Sequence, residues 1–291
     1  MPCAEGGEGS APSSDASIRP PARRGGRGLS RWLYYLSSIP TILLGMKSRW
    51  AVIRLFLGLP VKRPLVVRLP SGARFLVWTR MDVWIVKESC LDRDYESGAP
   101  PIPDGSTVLD IGAGFGDFAV RVARDCPRAT VYAFEPLPES FERLQQNIRL
   151  NGVENVRAFP EAISGSDAPM PLYTVTGLSG QHRTAGHAPT SATGSIDVPA
   201  ITLARAFERH GIATCDFLKI DCEGAEFEIL LRCDPATLAR VRRIALEYHD
   251  AVTDHRHDEL VRLLERRGFR VTTRPSPAYH ELGFLYAQRP L

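Results

Sequence analysis

Short apolar runs alternate with segments of helical periodicity from Ser106 onward. Thr107–Ile111 is an apolar, β-branched run, which predicts a buried strand, and apolar residues recur at helical spacing directly after it. The same alternation predicts, in chain order, a strand over 107–111, a helix over 117–125, a strand over 130–134, a helix over 138–150 and a strand over 155–159. Strands that alternate with helices are typical of a parallel sheet.

The alternation resumes after residue 200. It predicts a helix over 202–210, a strand over 216–220, a helix over 225–231, a strand over 243–248, a helix over 258–267 and a closing antiparallel pair over 269–273 and 282–287. Residues 177–195 show no periodicity and are rich in Gly, Ser and Thr, so we expect a lid or a disordered loop there. The predicted fold class is α/β, a doubly wound, mostly parallel seven-stranded sheet.

The segment before this alternation has a different character. We expect a disordered, mildly basic tail over 1–30, a helical and hairpin cap over 31–100, and the main α/β domain over 101–291. Within the cap, two apolar runs joined by Pro70-Ser-Gly72 predict a hairpin, and residues 82–96 predict helical or mixed structure.

The longest uncharged stretch covers residues 32–46. It is shorter than the roughly 20 residues that a membrane-spanning helix needs, and it contains Pro40, so we predict no transmembrane segment. We expect this stretch and 51–59 to form helices that pack on the core. The alternative is a weak contact with a membrane surface, with lipid headgroups near Arg31, Lys47, Arg49 and Arg54.

Composition narrows the class of protein further. A chain of 291 residues is long enough to bury a full core, and its net charge of +3 is modest, so we expect neither a basic stripe nor a nucleic-acid partner. The six cysteines form no C-x-x-C pair and have no histidine at ligand spacing, which argues against a zinc site and a disulfide framework. A reducing cytoplasm is the expected location.

Three glycines follow the first strand of the α/β region. Without a Cβ atom, Gly112, Gly114 and Gly116 allow a tight turn and the close approach of a ligand, and the next helix presents free N–H groups. A dinucleotide fingerprint would be G-x-G-x-x-G, but here the third glycine comes one position early and Asp117 stands in its place. The spacing therefore predicts a nucleoside cofactor other than NAD.

Acidic residues mark the ends of the first two strands. Asp110 lies at a strand tip, where it would repel a pyrophosphate and attract the ammonium group of S-adenosylmethionine. Glu135 follows the second strand, where a carboxylate accepts hydrogen bonds from ribose hydroxyls. The structural alternative is that Asp110 caps the helix and Glu135 is a solvated strand end.

Two further strand tips carry charged residues that face the same predicted crevice. Lys219, Asp221 and Glu223 surround the end of one strand, while Glu247 and His249 end the next. Asp221 and Glu223 are placed to accept a substrate proton, to hold the methionine end of the cofactor, or to ligate a divalent ion with Glu247 or His249. His249 is equally a candidate general base or a histidine with a structural partner. Inside the next helix, Glu226 and Glu228 are expected on a solvated face.

The motifs resemble those of the FkbM-type S-adenosylmethionine-dependent methyltransferases, a branch of the class I methyltransferases with a Rossmann-like fold. The matching segments are Tyr95-Glu96, Val108 to Gly116, Ala133-Phe-Glu-Pro136, Glu161-Ala-Ile-Ser164 and Leu218-Lys-Ile-Asp-Cys-Glu-Gly-Ala-Glu226. The last segment is the most specific, because a glycine turn alone marks only the superfamily. Phe115 departs from the small or polar residue common at its position, and the 177–195 loop matches loosely.

The resemblance implies methyl transfer to an oxygen of a small molecule, natural product or sugar. It implies cofactor contacts at Asp110, Gly112, Ala113, Gly114, Gly116 and Glu135, with Ala162 and Ile163 near the adenine. For catalysis, we expect Asp221 or His249 to take the acceptor proton and Lys219 and Glu223 to shape the site, while the sequence indicates no metal ligand and leaves a divalent metal open. The alternatives are a non-catalytic S-adenosylmethionine-binding scaffold, a metal-assisted variant that uses Asp221 and Glu247, and, least favoured, a nicotinamide enzyme.

Overall fold

This computed structural model describes residues 28–97, 99–174, 194–250 and 252–290. The helices are Gly28–Gly45 (α1), Arg49–Phe56 (α2), Arg80–Val86 (α3), Asp117–Asp125 (α4), Pro138–Asn151 (α5), Leu203–Arg209 (α6), Ala225–Leu231 (α7), Pro235–Ala239 (α8) and His257–Arg266 (α9). The strands are Leu65–Arg68 (β1), Arg74–Val77 (β2), Thr107–Ile111 (β3), Thr130–Phe134 (β4), Val156–Phe159 (β5), Ala162–Ser164 (β6), Met170–Thr174 (β7), Gly194–Val198 (β8), Ala200–Thr202 (β9), Phe217–Ile220 (β10), Arg243–His249 (β11), Arg270–Pro275 (β12) and Leu282–Gln288 (β13).

A seven-stranded sheet forms the centre of the molecule, in the order β12-β13-β11-β10-β3-β4-β5. The neighbouring pairs from β11 to β5 are parallel, whereas β13 runs antiparallel to both β11 and β12. The predicted doubly wound, mostly parallel sheet with a closing antiparallel pair is therefore confirmed. The order β10-β3-β4 puts the glycine turn after β3 between two neighbouring strand tips, at a point where the direction of winding reverses.

Both faces of the sheet are covered, which explains why its central strands read as continuous apolar runs. Every residue of β10 is buried, and so are all residues of β3 and β4 after the first. One hydrophobic cluster includes Phe227 of α7 and Leu260 of α9, and another includes Phe118 of α4. The charged residues Asp110 of β3 and Lys219 of β10 are partners in the parallel register, so they meet inside this otherwise apolar sheet.

The segment before the sheet contains the predicted hairpin, β1 paired antiparallel with β2, together with α1, α2 and α3. Thr79 and Asp82 form a capping box that begins α3, and the chain then continues as a π-helical segment over Lys87–Asp92. Ile42 of α1 and Val52 of α2 pack in the same cluster as the hairpin. The division of the chain into a tail, a cap and a main domain stays a prediction, and residues 1–27 lie outside the described part.

Several short elements differ from the expectation. The predicted loop over 177–195 is largely outside the described residues, but β8 begins at Gly194 inside that range and pairs with β7. A second small pair joins β6 to β9. Helix α8 was not expected, since it has only five residues; Asp234 caps it and a proline occupies its first turn. These elements are too short to show a hydrophobic periodicity in the sequence.

Candidate functional site

The carboxyl ends of β3, β4, β10 and β11 border an open cavity of about 1500 Å³. Ligands in open α/β sheets bind at this edge. Pockets for one small molecule usually measure about 300–1,000 Å³, so the cavity has room for two reactants side by side. Its wall includes residues of the N-terminal segment, among them Tyr34, Trp84 and Glu88.

The glycine turn has the shape of a ligand cradle. Gly112 has a φ of +72°, and a Cβ atom there would lie 1.8 Å from the carbonyl oxygen of Asp221, so no side chain fits. Gly114 has a φ of +55°, and a Cβ atom there would have no neighbour within 4 Å. Both residues line the cavity, and α4 begins directly after Gly116. The turn thus leaves open space beside Gly114 at the start of α4, which fits the close approach of a nucleoside cofactor.

Glu135 links the tip of β4 to the glycine turn. Its two carboxylate oxygens accept hydrogen bonds from the backbone N–H groups of Gly114, at 2.8 Å, and Leu137, at 2.9 Å. Burial raises the pKa of this carboxyl to about 7. Each oxygen keeps a second lone pair, and Glu135 lines the cavity, so it is positioned to accept from a ribose hydroxyl.

Asp110 occupies a different place from the one expected of a direct ligand contact. It is fully buried and does not line the cavity. Its Oδ1 lies 3.0 Å from Nζ of Lys219, which also donates a hydrogen bond of 2.7 Å to the carbonyl of Gly112. Asp110 therefore fixes the lysine that supports the glycine turn. Asp117, at the start of α4, lines the cavity, and burial raises its pKa to about 7.

The other predicted cofactor residues divide into two groups. Gly112, Gly114, Glu135, Ala162 and Ile163 line the cavity, whereas Ala113 and Gly116 do not. Gly116 has a structural reason to be glycine, because a Cβ atom there would lie 2.5 Å from the side chain of Leu144. The contacts of these residues with a cofactor stay a prediction.

All four residues predicted for catalysis line the cavity. Asp221 accepts a hydrogen bond of 2.7 Å from the hydroxyl of Tyr95, and the same carboxylate oxygen lies 3.9 Å from Nζ of Lys219. Burial lowers the pKa of Lys219, but the charges of Asp110 and Asp221 outweigh burial and raise it, so the lysine stays protonated. Glu223 has a φ of +50°, a conformation that is strained for a residue with a side chain.

Sequence reasoning missed the position of Tyr95. Burial raises its pKa well above the usual range, so the hydroxyl stays a hydrogen-bond donor to Asp221. Its ring packs edge-on against Phe118 and Phe284. The Tyr95-Glu96 pair is one of the segments that resemble the family. Nothing in its spacing predicts that Tyr95 contacts Asp221, which lies 126 residues further along the chain.

The expectation that Glu226 lies on a solvated face is wrong. Glu226 is fully buried, and its carboxylate accepts from the backbone N–H of Gly224 at 2.8 Å and from that of His249 at 2.9 Å. It also lies 3.0 Å from Nδ1 of His249. Helix α7 turns this residue toward the tip of β11, where it orients the imidazole. Glu228 is partly exposed and pairs with Arg232, as expected of a solvated face.

His249 carries a proton in this environment. Burial lowers its pKa, but the charges of Glu226, Glu223 and Glu247 outweigh burial and hold the pKa well above its usual range. Its Nε2 lies 3.7 Å from Glu223. A protonated imidazole cannot take a proton, so the raised pKa of His249 makes Asp221 the better candidate of the two predicted bases.

Replacing Glu226 with glutamine should destabilise the protein. The substitution removes the buried charge that compensates the imidazolium of His249, so we expect the free energy of unfolding to fall by about 3 kcal/mol. Urea unfolding measures this loss. The matched control is Glu228→Gln on the same helix, whose ion pair with Arg232 is exposed and should contribute below about 1 kcal/mol. Equal losses in the two variants would contradict the buried pair.

A possible cation site overlaps the same strand tips. Ligand atoms of Asp221, Glu247 and His249 all lie within 4.8 Å of one another. Carboxylate oxygens and imidazole nitrogen suit several divalent cations. Two of these side chains already have other partners, since Asp221 accepts from Tyr95 and His249 lies against Glu226.

The family assignment follows from the sequence that builds this cavity. Residues 110–271, which run from β3 into β12, match the family model of the methyltransferase FkbM domain. The chain belongs to this family. The matched residues include the glycine turn, Glu135 and the tips of β10 and β11. The protein is a methyltransferase with the class I fold.

Three relatives show how far the similarity extends. The chain is 29% identical over 240 residues to the 31-O-demethyl-FK506 methyltransferase FkbM of Streptomyces tacrolimicus, covering 73% of this chain and 92% of that protein. It is 25% identical to the hexuronic acid methyltransferase AglP of Haloferax volcanii, covering 66% and 77%. It is 30% identical to the AMB antimetabolite synthetase AmbE of Pseudomonas aeruginosa, covering 72% of this chain but only 12% of that larger protein.

A solved structure of the methyltransferase FkbM from Methylobacillus flagellatus KT is also similar. It shares 14% sequence identity with this chain at a TM-score of 0.46, covering 88% of this chain and 60% of that one.

Proposed function

We propose that this enzyme transfers a methyl group from S-adenosylmethionine to a hydroxyl oxygen of a small molecule, natural product or sugar. The observation that carries the proposal is the position of Asp221, whose carboxylate lines the same cavity as Gly112 and Gly114. An acceptor hydroxyl needs a group that removes its proton, and a carboxylate within that cavity supplies one. The names of the relatives FkbM, a 31-O-demethyl-FK506 methyltransferase, and NoeI, a 2-O-methyltransferase of Sinorhizobium fredii, support oxygen as the acceptor atom, and that of AglP, a hexuronic acid methyltransferase, supports a sugar-type acceptor.

The residues of the chain divide the work between binding and proton transfer. S-adenosylmethionine, when bound, supplies a methyl group that is already activated on a sulfonium. Glu135 would accept from the ribose, Ala162 and Ile163 would contact the adenine, and Asp117 at the N-terminus of α4 would border the methionine end. Asp221 orients the acceptor hydroxyl and takes its proton.

Two neighbours keep Asp221 in position for that step. Tyr95 donates to one of its oxygens, and protonated Lys219 lies 3.9 Å from the same oxygen, so the carboxylate is held in one orientation. Its other oxygen is free of these two contacts and is the one we assign to the acceptor. His249 and Glu223 border the acceptor side, with the imidazolium as a hydrogen-bond donor rather than a base.

A calorimetric titration tests the cofactor assignment. We expect S-adenosylhomocysteine to bind and NAD not to bind, and Glu135→Gln to weaken binding by about tenfold or more because the ribose loses a charged acceptor. Because the pKa of Glu135 is about 7, the test also predicts how the affinity changes with pH. Protonation of the carboxyl removes its charge, so affinity should fall about tenfold between about pH 8 and about pH 6.

Asp117 has a pKa in the same range and shifts affinity in the same direction, since its ionised form attracts the ammonium group of the cofactor. Glu135→Gln should therefore keep part of the pH dependence. Binding of NAD in place of S-adenosylhomocysteine, or an affinity that does not change over this range, would contradict the assignment.

A metal-assisted reaction is the second candidate, and the grouping of Asp221, Glu247 and His249 favours it. In that case a divalent cation would bind the acceptor oxygen and lower the pKa of its hydroxyl. Extensive dialysis against a chelator separates the two candidates. Turnover that survives dialysis favours proton removal by Asp221 alone, whereas turnover that is lost and returns with added magnesium or manganese favours the metal.

A further inference from the structure

Exposed apolar side chains are concentrated in the N-terminal helices. Most of the large hydrophobic residues that the described part exposes lie between residues 36 and 59. Leu44 is 80% exposed, Trp50 73% and Leu57 70%. The N-terminal apolar surface, as we define it, consists of Leu36, Ile39, Leu44, Trp50 and Leu57. Exposed apolar side chains that are concentrated in one part of a protein, rather than scattered singly, are typical of a site of interaction.

The spacing of these residues shows that each helix has two different sides. In α1, Leu36 and Ile39 are exposed, whereas Ser38 and Ile42 are buried. Trp50 in the first turn of α2 and Leu57, the residue that follows its last turn, are seven residues apart and exposed, whereas Val52 and Leu55 are buried. The inner sides pack in the hydrophobic cluster that contains the β1–β2 hairpin. Packing on the core therefore explains why the inner side of each helix is apolar, but it does not explain the apolar residues of the outer side.

The charged residues of the stretch that forms this surface are all basic. No Asp or Glu occurs from Ala16 to Met81, although basic residues recur throughout that stretch. The basic residues next to the apolar surface are also exposed, namely Lys47, Arg49, Arg54, Lys62 and Arg63.

We propose that the N-terminal apolar surface docks the enzyme on the surface of an anionic lipid bilayer. Apolar side chains flanked by Lys and Arg match the boundary between acyl chains and negatively charged headgroups, and tryptophan is favoured at that depth. None of the helices in the described ranges is long and apolar enough to cross a membrane, so the contact is peripheral.

A second copy of the chain is a poorer occupant of the same surface. A twofold contact through this surface would bring the basic residues of both copies together without any acidic residue from the same stretch to pair with them. An anionic lipid surface supplies the missing charge. The docking does not depend on methyl transfer, so it goes beyond the proposed function and is tested without an acceptor.

Flotation of the full chain with lipid vesicles tests the proposal. We expect binding to vesicles that contain phosphatidylglycerol, much weaker binding to pure phosphatidylcholine, and a decrease as ionic strength rises. Arg49→Gln with Lys62→Gln should weaken binding on the order of thirtyfold, since each basic residue near an anionic surface contributes about fivefold. Trp50→Ala with Leu57→Ala should weaken binding by more than about tenfold.

Matched controls lie outside the surface. Arg266→Gln with Arg270→Gln removes two exposed charges from α9 and β12, and Ile196→Ala removes an exposed apolar side chain from β8. Both controls should bind as the unaltered protein does, and urea unfolding should show that every variant is folded. Failure of the unaltered protein to float with anionic vesicles would overturn the proposal. So would a stable dimer that the Trp50 and Leu57 changes dissociate, in the absence of vesicle binding.

Discussion

Asp221→Asn should lower kcat by about 100- to 10,000-fold while leaving the affinity for S-adenosylhomocysteine nearly unchanged. Asparagine keeps the shape of the side chain and an oxygen that accepts from Tyr95, but it cannot take the proton of an acceptor hydroxyl. Losses of this size are typical when a general base is removed. Initial rates of S-adenosylhomocysteine formation, with a hydroxylated acceptor found by screening sugars and macrolides, measure the effect.

The controls for this prediction separate proton transfer from structure. Tyr95→Phe removes the hydrogen bond that orients Asp221 but leaves the carboxylate, so the loss should be smaller, about tenfold. Asp258→Asn changes an exposed acid on α9 in the same way and should have no effect. An Asp221→Asn enzyme that keeps more than about a tenth of the original kcat would contradict the role of this carboxylate. Restoration of the rate at high pH, in contrast, would indicate that acceptor deprotonation is the step affected.

The glycine turn and the sheet could be predicted because their causes are local. Residues 108–111 are buried between the two covered faces of the sheet, so the strand is apolar apart from Thr107 and Asp110, and the strand and helix that follow have clear periods. Gly112, Gly114 and Gly116 all have positive φ, the conformation that glycine adopts without strain. Because the carboxyl ends of parallel strands share one edge, the grouping of strand-tip residues followed from the fold class.

The roles of the acidic residues could not be predicted, because contacts between distant segments decide them. Asp110 and Glu226 stand where a single sequence suggests a ligand contact and a solvated helix face, respectively. The structure buries both, one beside Lys219 of the neighbouring strand and the other beside His249. A fully buried carboxylate needs a partner. The partner of Asp110 lies 109 residues further along the chain (219 − 110), and the partner of Glu226 lies 23 residues further (249 − 226). No period along the chain encodes such a pairing.

The N-terminal helices show a related limit. Their composition predicted helices that pack on the core, and the inner sides do pack there. A single hydrophobic stretch does not reveal which of its apolar side chains pack on the core and which stay exposed to solvent. The exposed fractions of Leu44 and Trp50 make that distinction, since side chains committed to the core would be buried.

Gly112→Ala should abolish cofactor binding and destabilise the fold. A Cβ atom at this position would lie 1.8 Å from the carbonyl oxygen of Asp221 and 2.9 Å from its carbonyl carbon. Both atoms are backbone, so no rotamer change relieves the contact, and the tip of β10 must move. That movement would both displace Asp221 and alter the space beside the glycine turn that we assign to the cofactor. We expect the free energy of unfolding to fall by about 3 kcal/mol or more, and the affinity for S-adenosylhomocysteine by more than about 100-fold.

Gly152→Ala is the control that isolates the cause. Gly152 ends α5 with a φ of +61°, close to the +72° of Gly112, but a Cβ atom there would have no neighbour within 4 Å. The conformational cost alone should reduce stability by about 1 kcal/mol and leave cofactor affinity unchanged. Urea unfolding and calorimetric titration of both variants measure the difference. If the two substitutions had equal effects, the glycine at 112 would be required only for its backbone conformation, and the close packing of the glycine turn against Asp221 would not be what shapes the site.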